Sequence, residues 1–325
     1  MPNLVKNSFL DALRQKTGAL LKLGNSNSLY DVAGGAARIY IRYSKVHARG
    51  AAFYGLRKED IRQLEGHPSF IVFLWDGQAE PLFVPFAAYE DVFHSTEPAP
   101  DGQYKAQIFL NSDSIELYLA RLGRFNLEGL SGWERIGAIL NTTAAATPVL
   151  SHSQVQSILS AIGTAKGYEI WIPPNDRGRL HTELSGSPLL RDELPSTLKQ
   201  IGDILQEVDV LWLRRGSNEL CGLFEVEHTT PIYSALLRFN DVHLAASNAS
   251  QIFRIIADDS RRGLFVRQLG RPTFRASGLD QICTFLEYRN VYGWFTRVCN
   301  QYIPIGASQD PKRVHEISAS GTATS

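Results

Sequence analysis

Three carboxylates, Asp209, Glu225 and Glu227, have the types and spacing to do chemistry. In FEVEHTT (224–230) the two glutamates stand two residues apart. Side chains on a strand alternate between faces, so Glu225 and Glu227 point one way while Phe224 and Val226 point the other. Asp209 lies in VDVLWL (208–213), among Val, Leu and Trp. A carboxylate in such company is costly to bury unless it is paired or binds a cation. The 15 residues between Asp209 and Glu225 have the length of a hairpin, so the two strands should be neighbours. Three acids then converge on one edge of a sheet. Crowded like charges raise one another's pKa, and a hard cation such as Mg²⁺, or Mn²⁺, is the natural neutraliser.

The elements that must position these acids read in order. SQVQSILSAIGTAKG (153–167) is a helix closed by glycine, followed by a strand at 167–173 and the irregular turn WIPPNDRGRLH, which carries Asp176, Arg177 and His181 near the acidic edge. LPSTLKQIGDILQ (194–206) reads as a helix leading into the strand 207–215, which turns at 216–218 into the strand 219–229. A helix with proline in its first turn follows over 231–246, then a strand at 251–259 and a mainly helical end to about 303. From Arg254 to Arg297 there are eight arginines, no lysines and four acids, which makes either an ordinary basic face or one that tracks phosphate.

The first half reads as an α+β domain with an antiparallel sheet. An amphipathic helix opens it, with Leu10, Leu13 and Leu20 on the buried side. Strands follow at 37–47, 51–56, 69–76, 81–86 and 104–110, with a short helix at 57–66 and a helical reading for 113–140. The small and polar stretch 141–153 marks a boundary, giving domains of 1–145 and 150–305. Residues 306–325, rich in Ser, Ala, Thr and Gly, read as a disordered tail.

An acid on one strand and acid-x-acid on the next resembles the PD-(D/E)XK nucleases. The run FEVEHTTPIYSALLRF is similar to restriction-endonuclease-like proteins in which a helix directly follows the active-site strand. Asp209 matches the first acid, with Val208 where proline is common; Glu225 matches the second, and Glu227 stands where lysine is usual. The resemblance covers about residues 150–300. It implies an α/β fold whose mixed sheet is flanked by helices, with Asp209 and Glu225 holding Mg²⁺. Glu227 then orients or deprotonates the attacking water, or holds a second metal. Arg238, two turns into the next helix, stands in for the missing lysine as a source of positive charge.

The first half is aromatic-rich, and packing accounts for most of those residues. Its other role is target reading of double-stranded DNA: Arg38, Arg42 and Lys45 on phosphate, and Tyr54 or Trp75 stacked on a base. The chain thus reads as a restriction-type endodeoxyribonuclease, of a class that commonly dimerises to cut two strands. The alternative is a nuclease-like fold that binds nucleic acid or another partner without cutting; a structure-specific or RNA-directed nuclease is a third class.

Composition narrows the field. Hydrophobic residues make up 44% and charged residues 20%, as in an ordinary folded chain. No apolar run approaches the ~18–20 residues that span a bilayer, and the first residues lack a secretory core, which points to a cytoplasmic protein. Three cysteines form no metal or disulfide spacing, no H-E-x-x-H is present, and no glycine-rich phosphate loop indicates ATP or NAD.

Overall fold

The computed structural model describes residues 4–299 apart from 25, 48–49, 95, 112–113, 138–147, 186–187, 218, 230 and 247–250. The expected tail and the first part of the expected boundary lie outside the described residues. Three five-stranded sheets flanked by helices make up a mixed α/β architecture.

The first half begins with α1 (Leu4–Thr17), β1 (Leu21–Lys22), β2 (Leu29–Val32), β3 (Ala37–Ser44), β4 (Val46–His47), β5 (Ala51–Arg57) and α2 (Lys58–Arg62). It continues with β6 (Ser69–Trp75), β7 (Leu82–Pro85), α3 (Glu90–His94), β8 (Gln103–Leu110), β9 (Ile115–Leu119) and β10 (Gly123–Asn126). One sheet runs β1-β2-β3-β6-β7 and the other β10-β9-β8-β5-β4. Phe9, Leu10 and Leu13 of α1 pack on Ile39, Ile41, Phe70 and Val72 on one face of the first sheet. Its other face, with Tyr40, Ile71 and Phe73, packs against Tyr54, Leu56, Ile108 and Leu117 of the second sheet. Alternation along β3 and β6 thus divides one strand between two cores, which is why all seven residues of β6 are buried.

Two expectations are corrected here. The first-half sheets are not all antiparallel, because β3 and β6 pair in parallel. Residues 115–126 are not helical: β9 and β10 form a hairpin that extends the sheet from β8, and the expected helix is seen among the described residues only at 134–137. The tight link between them places Arg121 at φ 73° and Gly123 at φ 104°, and cross-strand pairing with β8 overrides the local helical pattern.

The second half comprises α4 (His152–Ala165), β11 (Tyr168–Trp171), α5 (Pro174–Arg177), α6 (Thr182–Ser185), α7 (Gly202–Leu205), β12 (Val210–Arg214) and β13 (Leu220–Glu227). After these come α8 (Ile232–Ala246), β14 (Ile252–Ala257), α9 (Arg262–Leu269), α10 (Pro272–Ser277), α11 (Leu279–Ile282), β15 (Cys283–Glu287) and α12 (Tyr288–Cys299). The third sheet runs β11-β12-β13-β14-β15; its first two pairings are antiparallel and its last two parallel. The edge strand β15 falls in the end that reads as mainly helical. Much of the stretch expected as a helix at 194–206 is a 3-10 segment, Ser196–Ile201, before the short α7.

Helices cover both faces of this sheet. Phe224, Val226 and Trp212 meet Ile158, Ile162, Val291 and Trp294 of α4 and α12, while Leu211 and Leu223 meet Ala235, Leu236 and Phe239 of α8. A Cβ on Gly163 would lie 2.5 Å from Trp212 Nε1, so glycine is what lets α4 approach the sheet this closely. All eight residues of β13, the central strand, are buried. Among the described residues no helix is long and apolar enough to cross a membrane.

The two halves are packed together through polar contacts that are themselves buried. Lys166, at the end of α4, meets Glu90 of α3 at 2.7 Å, and Trp294 Nε1 donates to the same Glu90 oxygen at 2.8 Å. Burial alone would raise the Glu90 carboxyl, but Lys166, Arg297 and the Trp294 bond outweigh it and hold it below its ordinary range. Arg254 Nη2 donates to Arg62 O at 2.8 Å. Gly66, at φ +77°, sits where a Cβ would lie 3.0 Å from the Trp294 ring.

Glu90→Ala leaves the Lys166 ammonium buried without its carboxylate, and should cost about 3–5 kcal/mol in chemical denaturation. A second expectation comes from His67, which is 3% exposed. Burial, reinforced by Arg38, Arg254, Arg262 and Arg297, holds its imidazole well below the ordinary 6.5. The unfolded chain protonates His67 near that ordinary value and the folded chain does not. Stability should therefore be full above it and decline below it, by up to about 1.4 kcal/mol per pH unit from this residue. Denaturation midpoints measured across that range, with His67→Gln flattening the decline, check this.

Candidate active site

The acids stand at one end of the β12–β13 ladder. Val210 pairs with Phe224 and Leu211 with Leu223, so one residue further Asp209 comes opposite Glu225. Asp209 itself lies just outside β12, half-buried. Its Oδ2 accepts the backbone N–H of Val226 at 2.7 Å, the peptide group between the two glutamates. Its Oδ1 lies 3.1 Å from His152 Nε2. The backbone thus ties Asp209 to the E-x-E strand, while its second oxygen belongs to a contact that the sequence did not reveal.

Glu225 is 1% exposed and faces α8, as the alternation requires. Arg238 grips it with both ends of its fork, Nε to Oε1 at 2.7 Å and Nη2 to Oε2 at 2.9 Å. The same guanidinium lies 3.7 Å from Glu207. Burial pushes the Glu225 carboxyl up to about 8, the charges on Asp209 and Glu227 add to this, and Arg238 offsets only part of it. Its neighbour across the parallel pairing, Ile255, offers no polar group. Glu227 is 2% exposed, and its backbone oxygen accepts from Arg261 Nη1 at 2.8 Å.

On the α4 side a second group of polar residues meets Asp209. A reciprocal capping box, Ser151 with Gln154, starts α4 and sets His152 in its first turn. One ligand atom each from His152, Asp176 and Asp209 lie within 4.8 Å of one another. Gln156 Nε2 donates to Asp176 Oδ2 and to Asp209 O, both at 3.3 Å. The bond to Asp209, against the opposing effect of burial, raises the His152 imidazole above its ordinary value. His228 is exposed and stacks on Tyr288, with its ring 6.0 Å from that of His152. Of the turn after β11, Arg177 is structural: it lies over Trp171 and donates to Ile172 O and Arg191 O. His181 lies 3.1 Å from Ser153 Oγ on α4.

The nucleic-acid contacts expected in the first half divide sharply. Tyr54, 4% exposed, donates its hydroxyl to Leu74 O and packs on Phe73, and Trp75 is 8% exposed in the same core. Neither ring can stack on a base without opening that core, so packing, not base reading, accounts for both. Arg38 is also buried, paired with Asp31 at 2.8 Å and bonded to Gln63 O. Arg42 is half-buried with its guanidinium over Tyr40, and Lys45 is exposed. The eight arginines from 254 to 297 do not form one face. Arg254 is fully buried and bonded to Thr284 Oγ1, and Arg262 and Arg289 pair with Glu287. Arg267, Arg271 and Arg275 of α9, its following turn and α10 are exposed, with Arg271 over the Tyr233 ring at the start of α8.

Comparison with known proteins places the second half. Residues 140–303 match the family described as the type II restriction enzyme NmeDI C-terminal domain, and the chain belongs to that family. Type II restriction enzyme NmeDI of Neisseria meningitidis serogroup C is 29% identical over 132 residues, covering 38% of this chain and 37% of that protein. The chain thus aligns with well under half the length of its curated relative. No solved structure matches it.

Removing Arg238 tests the buried pair directly. Arg238→Ala leaves Glu225 buried beside two other acids, and should destabilise by about 3–5 kcal/mol. Arg238→Lys, a point charge without the fork, should recover only part of that loss in thermal unfolding.

Proposed function

We propose that this protein is a divalent-cation-dependent endodeoxyribonuclease of the restriction type, with a PD-(D/E)XK-like core in its second half. The observation that carries this reading is the bond from the Val226 N–H to Asp209, which ties one acid to the peptide between two buried glutamates. The donor set is all carboxylate oxygen, which suits Mg²⁺ or Mn²⁺. A Glu225 carboxyl pushed up to about 8 by burial and by neighbouring acids is a site that a cation would relieve. In this reading Asp209 and Glu225 hold the ion. A divalent ion in such a site polarises a phosphate oxygen and lowers the pKa of water.

The chain's own residues supply the rest. Glu227, on the same face as Glu225, orients or deprotonates the attacking water. Arg238 positions Glu225 through two bonds and brings positive charge toward the phosphate, the part usually played by lysine. The substrate in this proposal is double-stranded DNA, and the relative is named a type II restriction enzyme. In this reading the exposed Arg267, Arg271 and Arg275 meet its phosphates, with Lys45 and Arg42 as contacts from a target-reading first half. Two such chains acting as a homodimer would cut both strands.

One observation favours a second reading, a nuclease-like module that binds without cutting: Arg238 already neutralises Glu225 from within the protein. Plasmid cleavage with Mg²⁺, with Mn²⁺ and with chelator separates the two. Asp209→Asn and Glu225→Gln should each reduce cleavage to background while DNA binding persists, since the first removes a charge that repels phosphate and the second alters a buried group that Arg238 already shields. Arg238→Lys should lower the rate about 10–100-fold, as loss of an orienting partner does. Full cleavage by both acid variants would place the chemistry elsewhere, and binding with no metal-dependent cleavage of any plasmid would favour the second reading.

A further inference from the structure

Asp209 is shared between two environments, and the second of these has a donor set unlike the first. On the α4 side, His152 Nε2 lies 3.1 Å from Asp209 Oδ1, and an Asp176 oxygen completes a group within 4.8 Å. One imidazole nitrogen and two carboxylate oxygens are a borderline set, whereas Asp209 with Glu225 and Glu227 offers oxygen alone. Three separate segments supply the group: the first turn of α4, the short α5, and the residue before β12.

Two further observations bear on a ligand. Gln156, 1% exposed, donates one amide nitrogen to Asp176 Oδ2 and to the backbone of Asp209, the kind of outer contact that orients metal-binding carboxylates. The exposed His228 ring stands 6.0 Å from the His152 ring, the separation of two imidazoles that can turn toward one ion. The His152, Asp176 and Asp209 side chains are each partly exposed, at 39%, 23% and 16%, so the group is open to ions from solvent.

We infer that His152, Asp176 and Asp209 form a second cation site, selective for a divalent transition metal, with His228 as the fourth donor. Nitrogen from two imidazoles favours ions of the Co²⁺ and Zn²⁺ kind over Mg²⁺, and two nitrogens with two oxygens suit tetrahedral coordination. An ion there fixes Asp209 Oδ1, while the Val226 N–H holds Oδ2. The start of α4 and the turn after β11 are tied by the same ion to the acidic edge. The inference shares Asp209 with the proposed nuclease site but does not rest on cleavage.

The test is a visible-absorption titration of the full chain, stripped of metal, with Co²⁺ alone. Wild type should bind one Co²⁺ with the strong d–d bands of a tetrahedral ion. His152→Ala and the isosteric Asp176→Asn should each weaken binding about 10–100-fold, in line with the loss of a ligand or its support. Glu225→Gln should leave the spectrum and the affinity within twofold of wild type. Pulsed electron paramagnetic resonance with Cu²⁺ gives a readout independent of affinity: nitrogen coupling from imidazole, present in wild type and in Glu225→Gln, reduced in His152→Ala and lost when His152→Ala is combined with His228→Ala. Unchanged Co²⁺ affinity in both His152→Ala and Asp176→Asn, or no nitrogen coupling in wild type, overturns the inference. Loss of Co²⁺ binding only in Glu225→Gln overturns it as well, while leaving the nuclease reading in place. Cleavage that is absent although Co²⁺ binds as described has the opposite meaning.

Discussion

The hydrogen bond from the Val226 N–H to Asp209 holds together everything else at the acidic edge. Between Val210 and Phe224 the backbone ladder is still regular. One residue further β12 has not yet begun, and a side-chain carboxylate takes the place of a backbone carbonyl as acceptor for β13. A buried N–H left without a partner costs about 1–3 kcal/mol, so this carboxylate is held in place by the sheet's own requirement for an acceptor. The consequence is positional. Asp209 cannot leave the E-x-E strand without orphaning a backbone group in the middle of the third sheet.

Given that anchor, the electrostatics of the neighbourhood are set by which face each acid occupies. Alternation sends Glu225 toward α8, where Arg238 meets it, and lets the Asp209 oxygens meet Val226 and His152. Arg238 reaches Glu225 because Ala235, Leu236 and Phe239 on the same helix are locked into the core beneath it. The fork is thus aimed by packing, and the Glu225 carboxyl remains raised because one guanidinium does not outweigh burial beside two more acids. Asp209 consequently stands between the strand that carries the two buried glutamates and an imidazole-bearing group on the α4 side.

What was legible in the sequence follows from the range of each signal. Period-two alternation is local, so the facing of Glu225 and Glu227 was readable from seven residues. Hairpin length is nearly as local, and it brought Asp209 to the same strand end. His152 and Asp176 carry no such signal. They are 24 residues apart along the chain and join Asp209 only because Gly163 lets α4 lie close on the sheet and the turn after β11 folds back to it. His152 in particular sits in an ordinary first helical turn, and no motif marks it. The hairpin β9–β10 and the edge strand β15 were missed for a related reason: each is a strand because a neighbour pairs with it, not because its residues insist on it. Tyr54 and Trp75 show the converse limit. Aromatic content at a basic strand is the same whether the rings face a base or one another, and only the second sheet across the core decides it.

The same packing constrains how a target could be read. Charge that looks continuous in sequence between Arg254 and Arg297 is divided by the fold into interior and surface. Arg254 is spent inside the junction of the two halves, bonded to Arg62 O and Thr284, and Arg262 with Arg289 neutralises a buried Glu287. What remains for a polyanion is the exposed set on α9 and α10, beside the first turn of α8 through the Arg271–Tyr233 contact. That first turn follows directly from the strand that carries Glu225 and Glu227. That exposed positive charge and the acidic edge are therefore linked through α8, whereas Arg42 lies on β3 of the first sheet and Lys45 just beyond it, in the other half of the chain. The buried Glu90, Lys166 and Trp294 contacts join those halves without a solvated hinge at that point. Whatever surface the first half presents, it is not that of Tyr54 and Trp75, whose rings are enclosed between its two sheets.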